Sequence, residues 1–341
     1  MSIPPVVSWV VTARCNLSCP HCYVAAGKRA RAGELGPARR LAVAERLAAA
    51  GIRAVFLSGG EVLLLPDLER LLAVLCARGV EVTVCTNGLA LDGAGARRLR
   101  ESGVGSVSIS LDSALPAEHD AFRGRRGAYK HALEAVAAAR RAGLRVNVDA
   151  TPTRAAGRGI GALIWLCEQV GADHLTVKRF RPGGRGGVNA AVLQLPLAEH
   201  RRILDDVLAH AGRARLLLDV QDPAFHCYAR WRGADPALLN PAAAAGCLAA
   251  RDWFAVQPDG TVTPCPLLPL ALGNVLDGDL AEMFERSLLV RSIRDRALRS
   301  GRCGRCRHAQ GCGGCRAHAF AVSSDPAAED PYCPMPEEAL R

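Results

Sequence analysis

From Pro5 onward, short runs of β-branched residues alternate with longer Ala/Leu/Arg segments, and no other feature restricts the fold as strongly. Candidate strands are Val6 to Thr12, Ala54 to Ser58, Glu81 to Thr86, Ser106 to Leu111, Arg145 to Ala150 and His174 to Arg179. Between them, Ala38 to Ala50, Asp67 to Arg78, Ala128 to Ala142 and Ile160 to Val170 place apolar residues at helical spacing. Strand and helix in alternation predict parallel pairing through right-handed helical crossovers. Six such units make an α/β fold, a partial (β/α)6 TIM-like barrel open on one side.

Chemistry in such barrels gathers on the loops that follow the carboxyl ends of the strands. Cys15, Cys19 and Cys22, in the run CNLSCPHCY, follow the first strand directly. Thiolates are soft ligands for zinc, copper(I) or iron–sulfur clusters, and three of them leave one iron of a cubane open. Zinc usually asks for CxxC pairs with a fourth ligand at matching distance, and His21, adjacent to Cys22, is poorly placed to supply it. A disulfide framework is not expected, because the chain is long and lacks a secretory start. Ser58 to Glu61 follows the second strand, Thr86 to Gly88 the third, and Ser110 with Asp112 ends the fourth. Four polar or Gly-rich motifs therefore converge on one rim.

After about residue 215 the alternation stops, prolines become frequent, and eight of the 14 cysteines appear. The expected organisation is a barrel over 1–215 and a module over 216–341 whose density of thiols is too high for a small hydrophobic core to be the main stabiliser, so that metal coordination organises it. Cys76, Cys85 and Cys167 fall inside helix or strand patterns and read as small buried hydrophobes. Lys and Arg number 43 against 33 Asp and Glu, a net charge of +10, which suits acidic partners or substrates. The basic residues are spread along the chain without interleaved aromatics, so nucleic acid is not the expected partner. No apolar stretch approaches the roughly 20 residues that cross a bilayer, and the expectation is a soluble, cytoplasmic protein.

The triplet, with Tyr23 behind it, resembles the CxxxCxxC signature of the radical S-adenosylmethionine (SAM) superfamily. That resemblance implies a partial barrel in which the three thiolates hold a [4Fe-4S] cluster and SAM chelates the fourth iron through its amino and carboxylate groups. Gly59, Gly60 and Glu61 match the motif that receives the methionine amino group, with Val62 where relatives usually carry proline. Ser110 matches the fourth-strand serine that contacts SAM, and Arg123 an arginine that meets its carboxylate. Asn87 lies on the same rim. Cys247, Gly260, Cys265, Cys303, Cys306, Cys312, Cys315 and Cys333 resemble the SPASM extension, which implies two auxiliary iron–sulfur clusters. By analogy Cys247, Cys265 and Cys315 hold the inner one, and Cys303, Cys306, Cys312 and Cys333 the outer one. Between Cys312 and Cys315 there are two residues where many relatives have three. The inner set is one ligand short; Cys227 could complete it, the site could stay open for substrate, or Cys227 could be a plain buried thiol. Zinc at Cys303 to Cys315 is the competing reading.

The implied activity is cleavage of SAM to a 5'-deoxyadenosyl radical that abstracts hydrogen from substrate, with an oxidative outcome such as decarboxylation, and a low-potential flavodoxin- or ferredoxin-type donor as electron source. The segments CGGCRAHAFAVSSDPAAEDPYC and PDGTVTPCPLLPLALGNV resemble the branch that modifies tetrapyrrole side chains in heme-type biosynthesis. Lys178 to Gly187, KRFRPGGRGG, resembles both that branch and the maturases of peptide-derived cofactors such as mycofactocin and pyrroloquinoline quinone. Lys178, Arg179, Arg181 and Arg185 would suit propionates or an acidic peptide, or form a solvated hinge. Only 14 residues precede Cys15, so no separate peptide-recognition domain is expected ahead of the barrel. Radical epimerisation or dehydration of a carbohydrate antibiotic would use a cysteine hydrogen donor, Cys227 or Cys167. The non-enzymatic alternative is a zinc-stabilised nucleic-acid binder.

Overall fold

The computed structural model describes residues 3–235 and 246–340. Its centre is a ten-stranded sheet. In chain order the strands are β1 (Val6–Thr12), β2 (Ala54–Gly59), β3 (Glu81–Thr86), β4 (Ser106–Ser110), β5 (Arg145–Ala150), β6 (His174–Lys178), β7 (Leu217–Gln221), β8 (Trp253–Val256), β9 (Thr261–Thr263) and β10 (Gly273–Asn274). Spatially they run β10-β9-β8-β1-β2-β3-β4-β5-β6-β7. Strands β1 to β7 pair in parallel with their sequence neighbours. Helices such as Pro37–Ala49, Leu68–Ala77, Ala128–Arg141 and Ile160–Gln169 make the crossovers.

Side chains alternate across a strand, so the register sorts them into two faces. One face carries Val55, Leu57, Val82, Val84, Val107, Ile109, Val146, Val148, Leu175, Val177, Leu218 and Val220, all buried in the continuous core. The other carries Ser58, Thr83, Cys85, Ser108, Ser110, Asn147, Asp149, Thr176, Lys178 and Asp219, placed side by side by the pairings Cys85 with Ser108, Ser110 with Asp149 and Thr176 with Asp219. The concave face is therefore polar, and a hydrogen-bonded row crosses it from Ser108 Oγ through the Asn147 amide, 3.0 Å apart, to Thr176 Oγ1, 3.2 Å from Asn147 Oδ1. Cys85 thus stands on the polar face and not in the aliphatic core, because strand parity sets its side opposite to that of Val82 and Val84. Cys167, by contrast, is fully buried in that core.

The alternation runs one unit further than the sequence pattern indicates: β7 and the helix Phe225–Trp231 follow residue 215. Beyond them β8 returns to pair in parallel with β1, Val6 opposite Trp253, and the antiparallel strands β9 and β10 extend that edge. The thiol-rich module is therefore stitched into the barrel sheet at its first strand. Its far end is fastened at the opposite edge. The Arg179 guanidinium, fully buried, reaches Asp222 Oδ1 at 3.2 Å, Asp330 Oδ2 at 2.9 Å and the Tyr332 carbonyl at 3.1 Å. Tyr332 Oη donates to the Leu195 carbonyl at 2.6 Å, and Arg201 Nε to that of Pro334 at 2.7 Å.

Candidate functional site

The loop after β1 turns back on itself: Cys15 N donates to Gly27 O and Gly27 N to Ala13 O, so Cys15, Cys19 and Cys22 hang on a closed loop. Its floor is apolar, made by Val10, Ala13, Leu17, Val24 and Ala26, with Leu89 against it. The loop after β2 locks to it backbone to backbone, through Gly60 N to Thr12 O at 2.7 Å and Glu61 N to Arg14 O at 2.8 Å. Only glycine fits there. Gly59 has φ +127°, and a Cβ on it would sit 2.3 Å from Thr12 O; on Gly60 it would sit 2.0 Å from Arg14 O.

The other rim residues are drawn to the same loop. Glu61 is fully buried, and its carboxylate accepts from Thr86 Oγ1 at 2.7 Å, Asn87 N at 2.9 Å and Leu63 N at 3.2 Å. Burial pushes its pKa up, and these donors oppose the shift. The Asn87 amide donates to Asn16 Oδ1 at 2.7 Å and lies 3.8 Å from Cys15 Sγ. Arg123 is buried with both Nε and Nη2 2.7 Å from Asp112 Oδ2, and its Nη1 lies 3.9 Å from Cys19 Sγ. Asp112 does more than shape its loop: it is the counter-ion that lets Arg123 sit beside the thiols. Ser110 ends β4 on the concave face. His21 is stacked on Phe122 with ring centroids 4.3 Å apart, and burial lowers its pKa to about 4.

The basic run after β6 is not a set of free cations. Lys178 Nζ lies 2.5 Å from Asp149 Oδ2, and Arg179 is the buried double ion pair described above. Arg181 Nε donates to Cys315 Sγ at 3.1 Å. Arg185 reaches back to the cysteine loop, its Nε 2.8 Å from Cys19 O and its Nη2 2.9 Å from Ala26 O, while Asn189 Nδ2 donates to Pro20 O at 3.0 Å. The glycines of KRFRPGGRGG explain themselves in the same way. Gly184, at φ +50°, and Gly186 let helix Gly184–Val188 lie directly on the backbone of Tyr23, Cys22 and His21. The segment is a clasp over the cysteine loop, which the sequence marks only by its glycines.

The thiols of all three groups suit iron–sulfur clusters in their chemistry. Every described cysteine is free. Backbone amides point at sulfur: Leu17 N to Cys15 at 3.4 Å, Ala26 N to Cys22 at 3.3 Å, Asp330 N to Cys303 at 3.3 Å, His308 N to Cys306 at 3.3 Å and Gly314 N to Cys312 at 3.4 Å. N–H donors of this kind stabilise cluster sulfur and tune its potential. Burial pushes the Cys15 thiol up to about 11 and those of Cys265 and Cys333 to about 12, so these thiolates need a bound cation. Among the described residues no three such side chains converge tightly enough to hold one metal ion. A cubane asks for less convergence, since each thiolate binds a different iron.

The family model for the radical SAM superfamily matches residues 9–153, and that for SPASM, an iron–sulfur cluster-binding domain, matches 247–313. An AdoMet-dependent heme synthase of Methanosarcina barkeri is 30% identical over 339 residues, covering 97% of this chain and 96% of its own. The chain belongs to the radical SAM superfamily. It is a radical SAM enzyme with a SPASM module, and its cofactors are SAM, a [4Fe-4S] cluster and further iron–sulfur clusters. Cys315 and Cys333 lie beyond the matched part of that module. The mycofactocin maturase MftC of Mycobacterium tuberculosis is 32% identical, covering 98% of this chain and 83% of its own. Streptococcus suis SuiB bound to S-adenosylmethionine shares the fold, with TM-score 0.77 and 18% identity, covering 98% of this chain and 78% of that one. The polar concave face lies below the rim that carries the cysteine loop. No helix of the described residues is long and apolar enough to cross a membrane.

Proposed function

We propose that this radical SAM enzyme oxidatively modifies a tetrapyrrole side chain, with decarboxylation of a propionate as the leading reaction. The observation that carries the reading is the match to a heme synthase over nearly the whole of both chains, 97% and 96%. When bound, the first cluster and SAM supply a 5'-deoxyadenosyl radical, and the auxiliary clusters supply an electron acceptor. Cys15, Cys19 and Cys22 would hold the first cluster. The loop Gly59 to Glu61, Asn87, Ser110 and Arg123 would receive SAM, the last with its charge balanced by Asp112. A propionate that loses one hydrogen atom, carbon dioxide and one electron becomes a vinyl group, so atoms and charge balance without a proton acceptor on the protein. Lys178 on the concave face, already against Asp149, is the cation available to orient such a carboxylate.

A flavodoxin- or ferredoxin-type protein would supply the first electron. The second reading is maturation of a ribosomally made peptide, favoured by the full-length likeness to a mycofactocin maturase. Anaerobic enzyme incubated with SAM, dithionite and an iron tetrapyrrole bearing propionates should yield 5'-deoxyadenosine in step with loss of carbon dioxide and one hydrogen atom from each modified propionate, a mass loss of carbon dioxide and two hydrogens when the carboxyl proton of the neutral acid is counted. Abundant 5'-deoxyadenosine with unchanged tetrapyrrole would overturn the leading reading, and the same assay with a candidate precursor peptide then decides the second.

A further inference from the structure

Cys227 is placed where the SPASM analogy does not put it. Analogy offered it as a missing fourth ligand to Cys247, Cys265 and Cys315. In the fold, helix Phe225–Trp231 carries its thiol to a cavity lined also by Cys303, Cys306, Cys312 and Cys333. There its helix packs against the helix Ala309–Cys312, which ends in Cys312. Cys247, Cys265 and Cys315, in contrast, are not among the residues that line that cavity. Five cysteines thus surround the outer cavity, one more than a cubane takes, and three remain at the inner position.

We propose that Cys227 and Cys312 are interchangeable ligands of the outer auxiliary cluster, with Cys303, Cys306 and Cys333 as its constant ligands. The packing of the two helices brings both thiols to the wall of one cavity, where either can take the fourth ligand position of the same cluster. Gly314 N, donating to Cys312 Sγ at 3.4 Å, favours Cys312 as the resident ligand. Cys227 is then the reserve, carried on a separate helix and available if Cys312 is oxidised or displaced. The inner cluster keeps one iron without a protein thiolate. This assignment rests on the family's auxiliary clusters and not on the tetrapyrrole reading, so the two can fail separately.

The test uses full-length, anaerobically reconstituted protein in which Cys15, Cys19 and Cys22 are Ala, so that only auxiliary iron is counted. Cys227→Ala and Cys312→Ala should each retain about eight irons and both auxiliary EPR signals, whereas the double variant should lose about half of the iron and one signal. Loss of the outer signal in Cys312→Ala alone would overturn the proposal, as would loss of the inner signal in Cys227→Ala. Intact wild-type holoenzyme, which raises no question of folding, gives a second reading. Anaerobic alkylation followed by mass spectrometry should modify one thiol of the Cys227 and Cys312 pair per chain, divided between the two sites with Cys227 in excess. Modification confined to Cys227, or absent from both, would contradict exchange.

Discussion

From β2 to β6 one face of the sheet buries Leu57, Val84, Ile109, Val148 and Val177; between Arg296 and Cys333 the buried side chains include Arg296, Arg299, Cys315, Arg316 and Asp330. In the first region aliphatic faces of parallel strands pack under helices, and the backbone satisfies itself in the sheet. In the second, short elements leave carbonyls unpaired, and arginines collect them. Arg316 Nη1 donates to Pro326 O at 2.8 Å and Ala328 O at 2.6 Å, and Arg299 Nη1 to Ser292 O at 2.7 Å. Thiols fill what space remains. The barrel is held by the hydrophobic effect, and the module shares that core through Phe254, Val262, Phe284 and Ile293, but its stretch from Arg296 to Cys333 relies on cations, carbonyls and sulfur, to which bound iron would add.

Iron removal should break this comparison most visibly. Chelation under reducing conditions is expected to abolish amide-exchange protection across 303–333 while β2 to β6 stay protected, read by hydrogen–deuterium exchange of apo and reconstituted protein. Uniform loss in both regions would show that the barrel also depends on iron. Next in size is Arg179→Met. It leaves Asp222 and Asp330 buried without their cation and should cost about 3–5 kcal/mol in chemical denaturation, with the module detaching first. Leu57→Ala, a cavity in the aliphatic layer, should cost about 2–5 kcal/mol but leave auxiliary iron binding unchanged in the folded protein.

The smallest effect is pH-dependent. Burial, with Asp149 pushing the same way, raises Asp219 to about 6 against Lys178. A carboxyl whose pKa is raised on folding favours the folded state while protonated. Its contribution is therefore present below the usual carboxylate pKa and is lost as pH rises through about 6. Asp219→Asn should raise stability by about 1–2 kcal/mol at pH 8 and leave it unchanged near pH 4, measured as paired denaturation midpoints. Equal effects at both pH values would refute the assignment. Asp222 has the opposite sign: burial opposes ionisation, but Arg179 and the His200 hydrogen bond hold its pKa well below the carboxylate range. The fastening it provides is present above that range and is lost in acid.

The aliphatic layer and the rim were legible in the sequence, because period-two runs and the motifs after them are local signals. The observed strands β1, β3 and β5 coincide with the expected runs, and β2, β4 and β6 differ by one residue at the carboxyl end. What was not legible is long-range. Strand β7 is five residues with a central Asp219, and β8 pairs with β1 across more than half the chain, which no local pattern encodes. Cys85 looks like core until register sets its face. Arg185 looks like a substrate ligand until Gly184 and Gly186 bring it onto the cysteine loop. Glu61 is legible as a rim acid, but two of its three donors, Thr86 and Asn87, are brought to it only by the fold.

The proposed enzyme divides its labour: the triplet after β1 would generate the radical, and the C-terminal thiols would hold separate clusters. Replacing Cys15, Cys19 and Cys22 together with Ala, then measuring 5'-deoxyadenosine and iron in the same anaerobic preparation, tests it most directly. The predicted result is no 5'-deoxyadenosine above background with the auxiliary iron and its EPR signals retained. Continued SAM cleavage, or loss of all iron with the triplet, would contradict it.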